Sequence, residues 1–493
     1  MFARPAHRLR RVAAVLAGLT LAGLGMAGPA AAATSVDPSA TGTLTVHKLE
    51  RPEAATGLDN DGTPVDTTGL EPLAGVEFTV QQVGGVDLST NAGWSAANAL
   101  SGSFDAADPA GSIAAAGHSL LGGTSVTTGA DGTAVFSRLP VGLYLVTETS
   151  YPAGVTPSAP FLVTLPLTDP DDSDAWLYDV HVYPKNSVSG ATKTVTDSGA
   201  VALGDEVSWT ITGDIPNEDV IDGYKIVDAL DAKLTYGSAT VRLADGTPVT
   251  AGTHYTVSHD AGTHALTVEF TEAGRAVLAA HHDTQVVVQV VTTVNTVGEI
   301  ENTALLYPNR SSFDVEPGRP GGPTETPEVQ TKWGGLTLQK VNPAGDALSG
   351  AVFAVYTSEA DARAGRNPVT LGGRTEFPVA ADGTLTLTGL RYSDFANGQQ
   401  VAPGDEGYRA YWIAELKAPA GYELLAEPVQ FEVTAATSAA GIDLEVENVP
   451  SNAGFALPLT GGVGTTLLSV AGALILGGAL FLAVRGRRRA EAA

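Results

Sequence analysis

The segment Gly42-Thr-Leu-Thr-Val-His-Lys48 alternates apolar and polar side chains, and the chain repeats this pattern as Gly335-Leu-Thr-Leu-Gln-Lys340. Alternation with a period of two is typical of a strand with one buried face. Each copy ends in a lysine close to apolar neighbours, where a cation is rarely found. The two segments therefore predict the first strands of two similar β-sandwiches.

The remaining strands of this repeat follow in the same order in both copies. The first copy continues with Leu73–Phe78, Ala130–Phe136, Leu143–Glu148 and Val180–Asn186, and the second with Leu348–Phe353, Ala381–Leu387, Tyr411–Glu415 and Leu444–Asn448. Asp-Gly and Pro-Ala-Gly sequences mark the turns. We therefore expect an all-β chain with immunoglobulin-like sandwiches over residues 34–186 and 332–450.

Residues 187–331, between the two copies, are also rich in predicted strands but follow a different pattern. The predicted strands are Val207–Thr212, Tyr224–Val227, Ala265–Phe270 and Gln285–Val291. Thr271–His281 predicts a short helix, and the Pro/Gly-rich segment Pro317–Pro327 predicts an extended connection. The segments 83–127 and 356–376 are expected to be loop insertions.

The composition is typical of an exported protein. Of 493 residues, 43% are hydrophobic, none is cysteine, and the net charge is −27. Eight of the 27 basic residues lie at the two ends, so the segment between them is more acidic still. Because an acidic surface repels nucleic acid, no nucleic-acid partner is expected. Without disulfides, an exported protein needs another source of resistance to unfolding.

Both ends of the chain carry targeting patterns. Residues 1–33 combine a basic start, an apolar core at Val12–Met26 and a run of alanines, as secretory signal peptides do. Leu457-Pro-Leu-Thr-Gly461 precedes an apolar run, Val463–Val484, long enough to span a bilayer, and an arginine-rich tail. This order of three elements resembles the cell-wall sorting signal of Gram-positive surface proteins.

The sorting-signal resemblance implies a transpeptidation at the Thr460 carbonyl. A sortase cysteine would attack this carbonyl, Gly461 would leave, and an amine would resolve the acyl-enzyme. Residues 451–461 would then be a stalk with the sortase motif. Residues 462–493 would be a transmembrane segment with a basic tail that holds the precursor at the membrane.

A second motif supplies the amine. Trp176-Leu-Tyr-Asp-Val-His-Val-Tyr-Pro-Lys185-Asn186 resembles the pilin motif of sortase-assembled Gram-positive shaft pilins. Pro184 has no N–H and interrupts strand pairing, so Lys185 is expected at a strand end, accessible at a domain boundary. The resemblance implies that Lys185 resolves the acyl-enzyme and is joined to Thr460 of a neighbouring copy. The alternative is an ordinary solvated lysine.

Each copy of the repeat also combines a lysine, a carboxyl and an amide: Lys48, Glu148 and Asn186 in the first copy, and Lys340, Glu415 and Asn448 in the second. A buried lysine tends to lose its proton, and a buried carboxyl tends to keep one. The neutral amine could then attack the amide carbonyl while the acid moves protons and ammonia leaves.

These sets resemble those of the Cna-B-type domains of pilins and collagen adhesins, and Tyr411–Tyr422 resembles their E-box. The resemblance implies internal isopeptide bonds Lys48–Asn186 and Lys340–Asn448, promoted by Glu148 and Glu415. A buried ion pair is the alternative in each case. Asn186 adjoins Lys185, which serves a different reaction, so the sequence leaves open whether the first bond forms.

The middle region contains a set of a different kind. Lys193, Asp228 and Asn302 occupy positions that resemble the Lys/Asp/Asn set of Cna-A-like pilin domains. The resemblance implies a Lys193–Asn302 bond promoted by Asp228. Asp231 and Asn309 are the competing acid and amide.

Taken together, these resemblances imply the major shaft pilin of a three-domain actinobacterial type, which is a structural protein and not an enzyme. Its partners would be a pilus-specific sortase, other copies of itself, tip or minor pilins and cell-wall peptidoglycan. It would be secreted and displayed in a wall-anchored fimbria that supports adhesion. No cofactor or metal is expected. The acidic loops at Asp59–Asp61 and Asp169–Asp174 could take Ca²⁺, but they lack the EF-hand pattern, so solvated turns are expected and Ca²⁺ binding stays the alternative. The alternative is a single-copy or minor-pilin wall-anchored adhesin.

Overall fold

Three β-sandwiches follow one another along the part of the chain that the computed structural model describes, residues 35–451 apart from positions 55, 59 and 440, together with residues 469–480. The predicted all-β class is confirmed. Residues 469–480 are helical, but no helix among the described residues is both long and apolar enough to cross a membrane. The predicted signal peptide and the predicted sortase motif lie outside the described residues.

The first sandwich packs a sheet ordered β11-β1-β5 against one ordered β4-β3-β6-β8. Its elements are β1 (Thr41–His47), β2 (Leu49–Glu50), β3 (Glu77–Gly84), α1 (Asn91–Ser103), α2 (Pro109–Ala115), β4 (Ser119–Thr127), β5 (Thr133–Pro140), β6 (Gly142–Ser150), β7 (Val155–Thr156), β8 (Phe161–Leu165), β9 (Leu167–Thr168), β10 (Trp176–Leu177), β11 (Asp179–Val182) and β12 (Lys185–Val188). Phe78, Phe136 and Val180 are buried in its core. Parallel pairing of β1 with β11 and of β2 with β12 places the first and last strands side by side.

The segment 83–127 is more than the loop insertion expected from the sequence. It forms α1, α2 and the edge strand β4. Leu100 of α1 and Ile113 of α2 pack in a second small core with Leu143 and Leu145 of β6. The insertion is therefore ordered because its apolar residues cover a sheet face that would otherwise meet water.

The middle sandwich packs a sheet ordered β13-β14-β19-β16 against one ordered β17-β18-β15-β21-β22. Its elements are β13 (Ala191–Thr196), β14 (Glu206–Asp214), β15 (Lys225–Ala229), β16 (Leu234–Leu243), β17 (Tyr255–Asp260), β18 (Ala265–Phe270), α3 (Glu272–Ala280), β19 (Gln285–Val294), β20 (Gly298–Asn302), β21 (Leu305–Tyr307), a 3₁₀ helix (Arg310–Asp314) and β22 (Thr324–Glu325). The four strands and the short helix predicted for this region are confirmed. The predicted extended connection instead includes β22, which returns to pair with β21.

The third sandwich repeats the arrangement of the first. Its elements are β23 (Val329–Val341), β24 (Val352–Tyr356), α4 (Glu359–Ala364), β25 (Phe377–Pro378), β26 (Thr384–Arg391), β27 (Phe395–Ala396), β28 (Gln399–Gln400), β29 (Tyr411–Lys417), β30 (Val429–Phe431) and β31 (Leu444–Glu447). One sheet is ordered β25-β24-β29-β30, and in the other β31 pairs in parallel with β23.

Strand β23 belongs to two sandwiches at once. Residues 329–333 pair with β20 of the middle sandwich, and residues 333–339 pair with β26 of the third. The Trp333 side chain is fully buried in the middle core. A continuous backbone ladder therefore connects the second and third sandwiches, with no flexible linker between them.

Candidate crosslinking sites

In the first sandwich the lysine, the acid and the amide form one buried triangle. Lys48 lies between β1 and β2 along the chain, and its side chain is fully buried. Its Nζ is 2.5 Å from Glu148 Oε1 and 2.5 Å from Asn186 Oδ1. Asn186 Nδ2 donates to Glu148 Oε2 at 2.7 Å. The parallel register of β2 and β12 sets Asn186 beside the lysine, and β6 of the other sheet supplies the acid.

Burial changes the protonation of Lys48. Loss of solvation lowers the pKa of this lysine from 10.5 to about 8, although the Glu148 carboxylate opposes the shift. The Phe78 ring, 5.7 Å from Nζ, is part of this apolar surround. The neutral amine that a nucleophile requires is therefore much better populated near neutral pH than in a solvated lysine.

The middle sandwich brings its lysine and acid together across the core. Lys193 Nζ on β13 lies 2.8 Å from Asp228 Oδ2 on β15 and donates to the Thr303 carbonyl at 3.1 Å. Burial lowers the pKa of Lys193 to about 8, with Asp228 opposing. Burial also raises the pKa of Asp228, while Lys193 and the nearby Asn302 side chain act in the opposite direction. Asn302, at the end of β20, is buried near Asp228, and the next residue, Thr303, is the one whose carbonyl accepts from Lys193.

The two competing residues of this region have other contacts. Asn309 lies at the junction with the first sandwich, where its Nδ2 donates to the Val155 carbonyl at 3.1 Å. Asp231 Oδ2 pairs with Lys233 Nζ at 3.0 Å near the surface. The geometry therefore groups Lys193 with Asp228 and Asn302.

The third sandwich repeats the buried set with a different hydrogen-bond pattern. Lys340 on β23 is fully buried, pairs in register with Val446 of β31, and donates from Nζ to the Val446 carbonyl at 2.7 Å. Asn448 Nδ2 donates to Glu415 Oε2 at 2.8 Å, and the Leu425 N–H donates to the same oxygen at 3.0 Å. Burial lowers the pKa of Lys340 to about 8, opposed by Glu415.

The pilin-motif lysine lies at an interruption between two strands. Strand β11 ends at Val182 and β12 begins at Lys185, so Tyr183 and Pro184 break the ladder as expected from the proline. The Lys185 side chain is half-buried, which is less accessible than the sequence suggested. Lys185 lines a small cavity of about 20 Å³ together with Leu58, Val65 and Leu70, which cover part of its side chain.

Two contacts of the first sandwich were not foreseen from the sequence. The Ser158 N–H, in the loop before β8, donates to Asn186 Oδ1 at 2.6 Å. The ring of Trp94 on α1 stacks on Trp176 of the pilin motif, with centroids 5.3 Å apart. The only sequence signal for the Ser158 contact is the Pro-Ser-Ala-Pro spacing around Ser158. The Trp94 contact comes from the segment 83–127, which the sequence predicted to be a loop.

The other candidate residues are not tested by this geometry. Thr460 and Gly461 lie outside the described residues. Within the described ranges no cluster of three or more His, Asp or Glu side chains could hold a metal ion.

Fold and site together define a class of protein: tandem β-sandwiches, each with a lysine, an acid and an asparagine whose side chains are buried. Comparison with known proteins narrows this class. Residues 39–187 match the N-terminal domain D1 of Gram-positive pilin subunits, residues 334–448 match a prealbumin-like fold domain, and residues 449–491 match the LPXTG cell-wall anchor motif.

Full-length relatives agree with these matches. The chain is 36% identical to the fimbrial subunit type 1 of Actinomyces viscosus, over 97% of this chain and 98% of that protein. The full-length major pilin SpaD of Corynebacterium diphtheriae has a similar structure, with a TM-score of 0.66 and 28% identity over 85% of this chain and 99% of SpaD. The C. diphtheriae major pilin SpaA is also similar, with a TM-score of 0.60 and 26% identity over 83% of this chain and all of SpaA.

The chain belongs to the family of sortase-assembled Gram-positive fimbrial subunits. It is a structural shaft pilin and not an enzyme, it carries an LPXTG anchor that makes it a sortase substrate, and it forms a pilus on the cell wall. The expected role as a major pilin is thereby confirmed.

Proposed function

We propose that a pilus-specific sortase joins Thr460 of one subunit to Lys185 of the next, and that internal Lys–Asn bonds lock each sandwich. In the polymerising step the Thr460–Gly461 peptide bond breaks, and the acyl group passes through the sortase cysteine. Lys185 Nζ then forms an amide with the Thr460 carbonyl carbon and loses one proton. The tip or minor pilins and the cell-wall peptidoglycan are the further acceptors or partners of the same chemistry.

The internal bonds would be Lys48–Asn186, Lys193–Asn302 and Lys340–Asn448, with Glu148, Asp228 and Glu415 as the respective acids. In each, the lysine Nζ attacks the asparagine Cγ, the Cγ–Nδ2 bond breaks, and ammonia leaves. The observation that carries this proposal is the Lys48–Glu148–Asn186 triangle, in which amine, acid and amide touch one another at 2.5 to 2.7 Å. The similar major pilin SpaA of C. diphtheriae has stabilising isopeptide bonds, which supports the proposal.

The proposed functional units are residues 34–186, 187–331 and 332–450. The pilin D1 match over 39–187 and the prealbumin-like match over 334–448 support the outer two. The second boundary falls inside β23, which explains how two units can share one strand.

The polymerising role is tested by producing the full chain together with its pilus sortase. Lys185→Arg keeps the charge but removes the primary amine, so we expect only monomers on a denaturing gel. Lys417→Arg is the matched control, because Lys417 is exposed on β29 and has no role in the proposal. A polymer ladder from Lys185→Arg would refute this assignment. A monomeric unmodified chain would favour the single-copy adhesin.

A further inference from the structure

The loop between β7 and β8 presents Ser158 to the first-sandwich triangle through both its backbone and its side chain. The Ser158 N–H donates to Asn186 Oδ1 at 2.6 Å, and its hydroxyl donates to Glu148 Oε1. Lys48 Nζ donates to the hydroxyl oxygen at 3.3 Å. One residue thus contacts the nucleophile, the acid and the amide under attack.

The Ser158 N–H also fixes which way the Asn186 amide points. A backbone N–H can only donate, so the side-chain atom that faces it must be the oxygen. The amide nitrogen then faces Glu148 Oε2 at 2.7 Å. In this orientation the group that leaves is already hydrogen-bonded to the acid, and the carbonyl oxygen is already held by a donor.

The loop is stiff where this donor sits. Pro157 fixes its own φ angle, and Pro160 restricts Ala159 to extended conformations, so both neighbours of Ser158 have little freedom. A donor that is held in place before the reaction needs no reorganisation when charge develops on its acceptor, which is what makes such donors effective.

We propose that the Ser158 backbone N–H is the oxyanion-stabilising donor for formation of the Lys48–Asn186 bond, with its hydroxyl holding Glu148 in position. This inference rests on the proposed function, because it requires that the first-sandwich bond forms. Ser158 acts catalytically here, since its N–H touches a reacting atom.

The step balances without any further reactant. Neutral Lys48 Nζ attacks Asn186 Cγ, and the carbonyl electron pair moves to Oδ1, which the Ser158 N–H stabilises. The proton lost by Nζ is taken up through Glu148, which delivers a proton to Nδ2. The Cγ–Nδ2 bond then breaks, ammonia leaves, and the Oδ1 electron pair re-forms the carbonyl of the new amide.

The other two sandwiches lack this donor. Among the described residues, Asn302 Oδ1 and Asn448 Oδ1 are buried without a hydrogen-bond partner. In the third sandwich the nearby backbone N–H, that of Leu425, is directed at the acid and not at the amide oxygen. Loss of the Ser158 donor should therefore slow one crosslink and leave the other two unchanged.

The test follows crosslinking in the full chain made by cell-free synthesis, stopped at intervals, digested and mapped by mass spectrometry. Ser158→Pro removes the N–H, and we expect the Lys48–Asn186 crosslink to form about 100-fold to 1000-fold more slowly, as when an oxyanion-hole donor is removed. Ser158→Ala keeps the N–H, so we expect slowing of roughly tenfold or less. The Lys193 and Lys340 crosslinks report folding of the rest of the chain in each variant.

Two controls separate loss of the donor from added proline stiffness. Ala159→Pro adds a proline at the exposed neighbour, and we expect a rate close to that of the unmodified chain. Replacing Ser158 by its α-hydroxy acid in the same cell-free system exchanges only the N–H for an ester oxygen, and we expect the slowing seen with Ser158→Pro. This second replacement keeps the test decisive if the proline disturbs the sandwich.

The outcomes distinguish this inference from the function on which it rests. If the unmodified chain forms the Lys48–Asn186 crosslink and the ester variant forms it equally fast, the role of the N–H is refuted and the proposed crosslink stands. If Ser158→Ala is slowed about 100-fold or more while the ester variant reacts at the normal rate, the hydroxyl and not the N–H carries the effect, and the role of the N–H is refuted. If the unmodified chain never forms this crosslink, both the proposed bond and the role of Ser158 are refuted.

Discussion

At the residue scale, the three buried lysines share a pKa that burial lowers. Burial lowers the pKa of Lys48, Lys193 and Lys340 to about 8 in each case. A buried cation is costly even when it is paired, and conversion to an amide removes both the charge and the cost. The same burial that makes the unreacted lysine unfavourable therefore also makes it reactive.

Glu415→Gln should prevent the Lys340–Asn448 crosslink, because the amide side chain cannot move protons. We expect the free energy of unfolding of the third sandwich to fall by about 4 to 5 kcal/mol, as for loss of a disulfide that closes a loop of similar length. Peptide mapping and urea unfolding measure the two effects. Glu427→Gln is the control, because Glu427 is exposed and pairs with Arg363 at the surface. A normal crosslink in Glu415→Gln would remove Glu415 from the mechanism.

A chain that cannot crosslink its middle sandwich should become more stable as the pH rises from 8 to 10. In Asn302→Ala, Lys193 keeps a free amine whose pKa is about 8 when folded and 10.5 in its ordinary state. Between these two pKa values the unfolded chain binds more protons than the folded chain. The free energy of unfolding therefore rises with pH, here by roughly 2 kcal/mol.

Urea unfolding at pH 8 and pH 10 measures this effect. The unmodified chain is the control, because a Lys193 nitrogen bound in an amide does not titrate and should not contribute to the rise. Equal pH dependence in the two proteins would contradict the crosslink at Lys193.

At the element scale, the long strand β23 determines how the third sandwich is placed and how its lysine is aligned. The register with β26 shifts between Gly334 and Gly335, where the strand passes from one sandwich to the next. A Cβ on Gly335 would lie 2.0 Å from the Leu387 carbonyl oxygen, so only glycine allows this close approach of backbones. Lys340 is five residues further along the same strand.

Gly335→Ala should therefore disturb the pairing of β23 with β26 and misalign Lys340. We expect the Lys340–Asn448 crosslink to form incompletely, while the Lys193–Asn302 crosslink is kept. Gly199→Ala is the matched control, since a Cβ there meets nothing within 4 Å. Peptide mapping measures both crosslinks. A complete Lys340–Asn448 crosslink in Gly335→Ala would show that β23 accommodates the added Cβ without misaligning Lys340.

Much of this element-scale structure could be predicted from the sequence, because period-two alternation and turn residues are local signals. The repeat places Lys340 on the first strand, and the structure bears out that β31 lies beside it. The helices α1 and α2 could not be predicted, since they are stabilised by tertiary packing against β6. The position of Ser158 against Asn186 and the half-burial of Lys185 likewise depend on loops brought together only by the tertiary fold.

At the scale of the whole molecule, the proposed bonds define how tension passes along a fibre. In the proposed fibre, force would enter a subunit at Lys185 and leave at Thr460, so the chain before residue 185 would lie outside the path. From Lys193 the force would cross to Asn302, and from Lys340 it would cross to Asn448. Residues 194–301 and 341–447 would then be bypassed, and the sandwiches would stay folded under load.

Single-molecule pulling tests this path. The chain has no cysteine, so Lys185→Cys with Ser451→Cys gives two specific handles. We expect no step of roughly 350 Å in this chain, and one such step when Asn302→Ala is added, because residues 194–301 can then extend. Adding Lys48→Met instead should give no such step, since the first sandwich lies outside the path. A step of that length without Asn302→Ala would contradict the bypass.

The most direct measurement for the central claim is peptide mapping of the purified pilus fibre by mass spectrometry. The account predicts a branched peptide that joins Thr460 to Lys185, and three internal branched peptides, each lacking one ammonia, at Lys48–Asn186, Lys193–Asn302 and Lys340–Asn448. A fibre in which Lys185 is recovered as a free lysine, with Thr460 joined to another amine, would contradict it.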